Sequence, residues 1–302
     1  MEMNCVKFAE QMTGELEKAI VQQAVTGFLA DNVMKTKFVG AKTVLIPNVE
    51  FSGLGDYDRE DGFTRGAITV DNTAYELEMD RGRTLYLDAQ DNDEAGIADL
   101  AGQVTGEYVR TKVVPEIDAY TLAKLAKFAV SKAQSSIVSN KPYADFMKAC
   151  QSAYEVAGYD CELVAFINGR YWSELNKSDE FARQIVTSDF KRGGVDTQVQ
   201  SINSVSLLPV VVSRMKTDFE FRDGSSAGQE QGGFVPTAAA KDIGFIIMPK
   251  KACSLIKKVE KTRIFSPDQN QRADAWKFDF RFYYDAFVKK SLEKAIFAGL
   301  YA

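Results

Sequence analysis

The stretch KFDFRFYY (residues 277–284) alternates charged and aromatic side chains with a period of two. Phe278, Phe280, Phe282 and Tyr284 occupy every second position, and three of the four residues between and before them are charged. Successive side chains of a β-strand point to opposite faces of a sheet. The pattern therefore predicts a strand with one aromatic face and one largely charged face.

Outward from this strand, the chain mixes short apolar runs with stretches of helical spacing. The apolar runs predict strands at residues 42–47, 163–167, 207–212 and 243–248. The helical spacing predicts a helix-prone arm and two further helices, at residues 1–36, 91–114 and 122–129. Strands and helices do not alternate regularly, so the sequence predicts an α+β fold with mixed strands. A polar, Gly-rich segment at 222–233 is predicted to be a loop that packs poorly.

The clearest helix is predicted at residues 91–114, where apolar residues lie on one face. Asp91 and Asp93 suit its N-terminus, because carboxylates there meet unpaired backbone N–H groups and the helix dipole. At 1.5 Å per residue the helix would span about 33 Å, the length of a spine through the molecule. Pro115 is expected to break or bend it, before the second helical stretch begins.

Residues 51–88 are predicted to form a long two-stranded excursion. Alternating apolar positions on both sides of Asp71-Asn72 predict a β-hairpin that turns at this dipeptide. An isolated two-stranded hairpin is only marginally stable in water. The excursion is therefore expected to lie on its own domain or on a neighbouring molecule.

The composition excludes most catalytic chemistry. The 302 residues contain no histidine, which removes Ser-His and Cys-His nucleophile pairs, histidine-ligated metals and the usual neutral-pH base. The formal net charge of −5 supplies no broad cationic surface for a nucleic acid backbone. The four cysteines form no C-x-x-C pair, which favours a reducing compartment. No signal peptide and no apolar run long enough to span a membrane is found.

Two local motifs have features of functional sites, but neither is favoured as one. The G-x-S-x-G match at residues 224–228 requires a histidine partner that the chain does not have. The acidic run from Asp56 to Asp61 could bind a cation, but a solvated loop is the favoured interpretation. We therefore predict no catalytic residue, no metal site and no cofactor.

The segment from Asp80 to Arg83 is the strongest candidate for a contact site. Two arginines flank a glycine at the predicted root of the hairpin, with Asp80 and Asp88 nearby. One interpretation is a turn with a local ion pair. The other is an intersubunit charge network, because arginine makes rigid bidentate contacts with carboxylates. Arg59 and Arg65 are the other basic residues of the excursion and join the set of predicted intersubunit contacts.

Three stretches together resemble the major capsid protein of tailed double-stranded-DNA bacteriophages and their prophages. They are residues 80–94, 108–120 and 263–288, in the order and spacing of that family. The resemblance implies an N-terminal arm (1–38), an extended loop (51–88) reaching onto a neighbouring subunit, and two domains. The peripheral domain, with the spine helix, would comprise 39–50, 89–138 and about 251–280. The axial domain, with a mixed sheet, would comprise about 139–250 and 281–302.

The same resemblance implies a structural function. The chain would assemble with itself, as pentamers and hexamers, into an icosahedral shell that encloses double-stranded DNA without sequence-specific binding. Assembly would take place in the cytoplasm of the host bacterium, and the protein would reside in the virion, with no membrane partner. Loop 222–233 would lie near a five-fold or six-fold axis.

Two departures from the family pattern lead to expectations of their own. Some members join a lysine of the extended loop to an asparagine of a neighbour, but no lysine occurs between Lys42 and Lys112. No such covalent mesh is expected from this loop. Some members also carry a fused N-terminal scaffolding segment. If Met1 is the true start, a separate scaffolding protein and a portal are the expected partners.

Three alternatives remain at this stage. An encapsulin, a bacterial compartment that holds cargo enzymes, shares the fold and would lack DNA. A small carboxylate-based enzyme using Asp56 and Glu60 would leave the long excursion unexplained. A tail or decoration protein of the virion is the weakest, because the three stretches match the shell subunit.

Overall fold

The structure is a computed structural model that describes residues 24–32, 37–40, 42–57, 59, 62–88, 105–192 and 195–302. Its helices are α1 (Val114–Ser131), α2 (Pro142–Ala157), α3 (Gly169–Asn176) and α4 (Asp179–Gln184). The first seven strands are β1 (Lys37–Val39), β2 (Thr43–Phe51), β3 (Ile68–Glu76), β4 (Met79–Asp88), β5 (Ser135–Ile137), β6 (Leu163–Asn168) and β7 (Val186–Arg192). The others are β8 (Val195–Ile202), β9 (Val205–Val210), β10 (Phe219–Phe221), β11 (Phe234–Pro236), β12 (Ile243–Pro249), β13 (Cys253–Phe265), β14 (Ala275–Val288) and β15 (Phe297–Leu300).

A seven-stranded mixed sheet forms the largest part of the core, in the order β5-β15-β12-β6-β9-β8-β7. The β5–β15 and β6–β9 pairs are parallel, and the other pairs are antiparallel. Strand β6 is buried along its whole length. Val164 and Phe166 face helix α1, while Ala165 and Ile167 face α2 and α3. A strand that is covered on both faces needs a continuous run of apolar residues, and this run is the pattern from which the sequence predicts the strand.

The second sheet has three antiparallel strands, in the order β13-β14-β4. The predicted strand at 277–284 lies within β14. Phe278, Phe280, Phe282 and Tyr284 are buried in the main core, and the ring of Phe280 lies 4.8 Å from that of Tyr108. The charged residues between them lie on the outer face. The α+β class with mixed strands is confirmed.

The third sheet contains the ribbon, defined here as strands β2 and β3 with the loop 52–67 between them; β1 pairs with the base of β2. The predicted turn at Asp71-Asn72 is wrong, because β3 runs through both residues and pairs with β2 along its length. Strand β4, expected to be the second strand of the hairpin, instead pairs with β14. Alternating residues predict a strand but not the strand with which it pairs. Two strands that follow one another in sequence therefore give the same pattern as a hairpin, whether or not they pair.

The helical spine continues beyond its predicted end. Residues 105–131 are helical without interruption, and the prediction of a stop at Val114 is wrong. A π-helical turn, Val109–Val113, precedes Pro115, and the N–H of Val114 bonds to the carbonyl of Val109. A proline lacks the N–H of the regular ladder, and a π-turn accommodates this by shifting the register. The predicted start, residues 91–104, lies outside the described residues.

The described end of the predicted N-terminal arm is packed into the body. Phe28 and Leu29 are buried, and the carboxylate of Asp118 in α1 accepts bonds from the backbone N–H groups of Val25 and Thr26. The remainder of the arm, residues 1–23 and 33–36, lies outside the described residues. None of the described helices is long and apolar enough to cross a membrane. The division into peripheral and axial domains stays a prediction.

Candidate assembly interface

The segment Asp80–Arg83 lies inside strand β4 and not at a turn. Its residues alternate between the two faces of the three-stranded sheet, because Asp80 and Gly82 pair with Tyr283 and Arg281 on the outer face. Arg81 and Arg83 share the inner face with the aromatic residues of β14. The two arginines therefore point toward the side covered by helix α1.

On the outer face, Asp80 forms a bidentate ion pair with Arg281. The Nε and Nη2 atoms of Arg281 donate to the two carboxylate oxygens over 2.9 and 2.7 Å. The hydrogen bond from Arg281 lowers the pKa of Asp80 below its ordinary value. Both side chains are well exposed, so this pair contributes little to stability.

On the inner face, Arg81 ties three elements together. Its Nε donates to Glu116 in α1 over 2.6 Å, and its Nη2 donates to the Gly233 carbonyl over 3.3 Å. The Arg81 and Glu116 side chains are 24% and 14% exposed, so both are largely removed from water. Replacing only one residue of such a charge pair lowers stability, because the charge that remains is partly desolvated and has no partner.

Arg83 is the second tie, and it holds the loop 222–233, named here the clasp loop. Its Nη2 donates to the Glu230 carbonyl over 3.0 Å, and its Nη1 lies 3.5 Å from the Gly224 carbonyl. A Cβ atom built on Gly224 would stand 2.5 Å from Nη1 of Arg83. The loop contains no buried residue, which agrees with the prediction that it packs poorly, but Arg83 binds its backbone at two points.

The clasp loop is also densely bonded within itself. The Asp223 carboxylate accepts from the backbone N–H groups of Ser225 and Ser226 and from the Ser226 hydroxyl. These bonds, the hydroxyl's first, hold the pKa of Asp223 well below its usual range. Gln229 and Glu230 close further bonds inside the loop. Strands β10 and β11 form the antiparallel base from which it projects.

The other predicted contact residues lie apart from the clasp. Asp88 is the last residue of β4, opposite Ala275, and its side chain is exposed. Arg59 and Arg65 lie in the loop of the ribbon and are also exposed. The structure thus places Asp80, Arg81 and Arg83 in contacts within the chain. An intersubunit role for the six residues stays a prediction.

The ribbon exposes an apolar face that sequence analysis missed. In the β2–β3 pairing, Val49 lies opposite Val70, and Phe51 lies opposite Ile68. Directly opposite residues share a face, and the exposed fractions of Phe51 and Ile68 are 72% and 70%. At the loop end, Leu54, Tyr57 and Phe63 are exposed as well. The period-two signal was present in the sequence, but exposure is a property of the fold.

The base of the ribbon buries the opposite face. Val44 and Tyr75 are paired across β2 and β3, and they pack with Ile256, Tyr283 and Phe287 of the three-stranded sheet. Val44 and Val49 are five positions apart and so point to opposite sides of the strand. The ribbon therefore uses one face against its own subunit and leaves the other face apolar and open toward its tip.

Only one of the two residues named for a carboxylate enzyme lies in the described part of the chain. Asp56 is exposed in the ribbon loop, and Glu60 lies outside the described residues. The fully buried carboxylates are elsewhere: Asp285 accepts from Lys124 Nζ over 2.6 Å and from the Tyr120 hydroxyl over 2.8 Å. Burial and Asp285 raise the pKa of Tyr120 far above its ordinary value. Among the described residues, no group of three or more acidic or cysteine side chains is placed to hold a metal.

The chain is similar in structure to several shell-forming proteins. A capsid structure of the cyanophage P-SCSP1u aligns with a TM-score of 0.54 at 12% identity, over 88% of this chain and 85% of that chain. The mature capsid of bacteriophage PhiM1 gives 0.52 at 11% identity, over 87% and 82%. A virus-like particle from Pyrococcus furiosus gives 0.53 at 9% identity, over 97% and 99%. No protein-family model and no curated protein matches the sequence. The chain has the phage capsid fold.

Proposed function

We propose that this chain is the structural, non-enzymatic subunit of the icosahedral capsid of a tailed bacteriophage or prophage. Copies of the chain would form pentamers and hexamers and close into a shell around double-stranded DNA, which they contact without reading its sequence. The observation that carries the proposal is the ribbon, whose two apolar faces lie on opposite sides at its base and its tip.

A second copy of the chain is the occupant that suits the tip. The ribbon face around Phe51 and Ile68 is contiguous and apolar, and an apolar patch of this kind marks a contact surface. The base is already held by its own subunit, so the tip is positioned before any partner arrives. A subunit that covers its neighbour and is covered in turn generates a closed ring when the rotation between successive copies closes.

The predicted set of Asp80, Arg81, Arg83, Asp88, Arg59 and Arg65 belongs to this proposal as residues on which the contact between copies depends, directly or through the segments they hold. The net charge of −5 also suits a container, because a wall that held phosphates tightly would oppose DNA packaging and release. A separate scaffolding protein and a portal complete the proposed set of partners, and the virion is the proposed location.

A specific observation favours one alternative. The virus-like particle chain from Pyrococcus furiosus is covered over 99% of its length, whereas the two phage capsid chains are covered over 82% and 85%. An encapsulin-type compartment, closed around cargo protein instead of DNA, is therefore the second candidate function.

The first test is light scattering with negative-stain electron microscopy on the purified chain, alone and co-expressed with its neighbouring genes. Shells, tubes or ring-shaped capsomers are expected. Mass spectrometry of the purified particles then separates the two candidates, because a co-purifying cargo enzyme would support the compartment. A monomer under every condition would contradict both.

A further inference from the structure

We propose that Arg83, together with Arg81, organises the clasp loop into a preformed surface for contact with a second copy of this chain. Both arginines then act on assembly from within their own subunit, as positioning residues, and not by pairing directly with a neighbour. This role rests on the shell function proposed above.

The clasp loop is shaped to receive the Arg83 guanidinium. Gly224 and Gly232 have φ angles of +77° and +64°, a backbone conformation that favours glycine. Cβ atoms built on them would lie 2.5 and 3.6 Å from Nη1 of Arg83. A side chain at Gly224 would therefore crowd the guanidinium, whereas one at Gly232 would only touch it. Both glycines lie beside the guanidinium of Arg83.

Both arginines bind acceptors inside the chain. Arg83 bonds to carbonyls at both ends of the loop, at Gly224 and Glu230, and Arg81 bonds to the Gly233 carbonyl and to Glu116. If a neighbouring subunit took over these same donors, the loop carbonyls would lose their partners. The geometry thus favours an internal role.

The loop is ordered by its own bonds before any partner binds. The N–H of Arg222 donates to the Gly233 carbonyl over 2.9 Å, and that of Gly232 donates to the Gln229 carbonyl over 2.8 Å. A surface that is already ordered loses less conformational entropy on association than a flexible one. Most of the exposed residues of the loop are polar, and Asp223 and Glu230 carry negative charge beside Glu220.

Hydrogen exchange with mass spectrometry on the unassembled full-length chain tests the positioning role directly. In Arg83→Ala, the bonded amides of the clasp loop are expected to exchange at least about tenfold faster, while those of β6 keep their protection. Arg65→Ala is the matched control, because Arg65 is an exposed arginine outside the clasp loop. Unchanged loop protection in Arg83→Ala would overturn the proposal.

Assembly yield separates the internal role from direct pairing. Arg83→Ala is expected to reduce shell yield several-fold. An unchanged shell yield in Arg83→Ala would overturn the proposal, because assembly would then not depend on the ordered loop. Arg83→Lys keeps the charge but cannot span both carbonyls, so its yield should stay low. Full rescue by lysine would point to charge pairing instead.

Assembly and hydrogen exchange test the proposed function and the positioning role separately. If the wild-type chain forms no shells under any condition, the proposed function fails, while hydrogen exchange still decides whether Arg83 organises the loop. If shells form and the loop is protected equally with and without Arg83, only the positioning role fails.

Discussion

The ribbon loop (52–67) and the clasp loop (222–233) have similar compositions and opposite surroundings. Both are polar and Gly-rich in sequence. The clasp loop has its carbonyls bound by two arginines and its acidic groups bound by its own amides. The described part of the ribbon loop makes few bonds, such as Thr64 Oγ1 to the Asp56 carbonyl over 2.8 Å, and exposes apolar side chains. The clasp loop is ordered by bonds within its subunit, whereas the ribbon loop leaves apolar side chains uncovered.

The largest expected effect comes from placing charge on the open face of the ribbon. Ile68→Glu is expected to lower shell yield by roughly tenfold or more, because an unpaired carboxylate would be buried at the contact. The stability of the isolated subunit should not change, since Ile68 is 70% exposed. Electron microscopy and urea denaturation measure the two quantities.

Thr69→Lys is the control for this change, because Thr69 is exposed, points to the opposite face of β3 and pairs with Glu50, so that the added charge has no like charge opposite it. It should leave assembly largely intact. Equal loss of shells in both variants would mean that the ribbon face is not the contact surface.

The second effect concerns the ion pair between Arg81 and Glu116 and its contribution to the stability of the subunit. Arg81→Ala is expected to lower the free energy of unfolding by about 1–3 kcal/mol, because Glu116 would keep its charge without a partner. Asp80→Ala removes an exposed pair on the other face of the same strand and should cost less than about 1 kcal/mol. Urea denaturation compares the two variants. A smaller loss of stability for Arg81→Ala than for Asp80→Ala would contradict the distinction between the partly buried Arg81–Glu116 pair and the exposed Asp80–Arg281 pair.

The third effect is a dependence of the clasp loop on acid pH. Hydrogen bonds lower the pKa of both Asp223 and Glu230. A carboxyl group with a lowered folded-state pKa stabilises the folded loop above its unfolded pKa, and this contribution is lost as pH falls through the folded value. Loop protection in hydrogen exchange, corrected for intrinsic rates, should be constant from pH 7 to about pH 5 and fall below about pH 4. Loss of protection already near pH 6 would contradict this assignment.

The last prediction is that no covalent bonds form between the subunits of the shells. The ribbon contains no lysine, so its contacts with a neighbour should remain non-covalent. Boiled shells should run as a single band at the mass of the monomer on an SDS gel. A ladder of covalent oligomers would show that a lysine outside the ribbon forms the bond.

The sequence was most informative where one element determines its own pattern. The aromatic alternation in β14 and the continuous apolar run of β6 were predicted correctly, because each follows from how many faces of that strand are buried. The partner of β3 and the path of the chain through Pro115 were predicted wrongly, because both depend on distant residues. Pairing between β2 and β3 and the π-turn before Pro115 are tertiary choices that local periodicity does not encode.

The candidate site combines residues that the local sequence singles out with partners that it does not, for the same reason. The residues Asp80–Arg83 were singled out by their charge pattern, and the structure does place them at a junction of three elements. Their partners Glu116, Gly224 and Glu230 lie far along the chain, and no local motif connects them. The glycines at 224 and 232 carried the only usable signal, since paired glycines in a polar loop indicate that something approaches the backbone closely.

The π-helical turn at Val109–Val113 absorbs one residue without changing the rotational phase of the spine. A π-turn contains one residue more than a regular turn, and one residue corresponds to about 100° around a helix axis. Val109 and Val114 are five positions apart, yet both are buried. Deleting one residue from this turn would leave the two valines four positions apart, which is the same-face spacing of a regular α-helix, so Tyr108 would stay on the side of Phe280. The spine should therefore tolerate point substitutions at Arg110, Thr111 or Lys112, whose side chains are exposed, and reject an inserted residue, which would rotate Tyr108 away from Phe280.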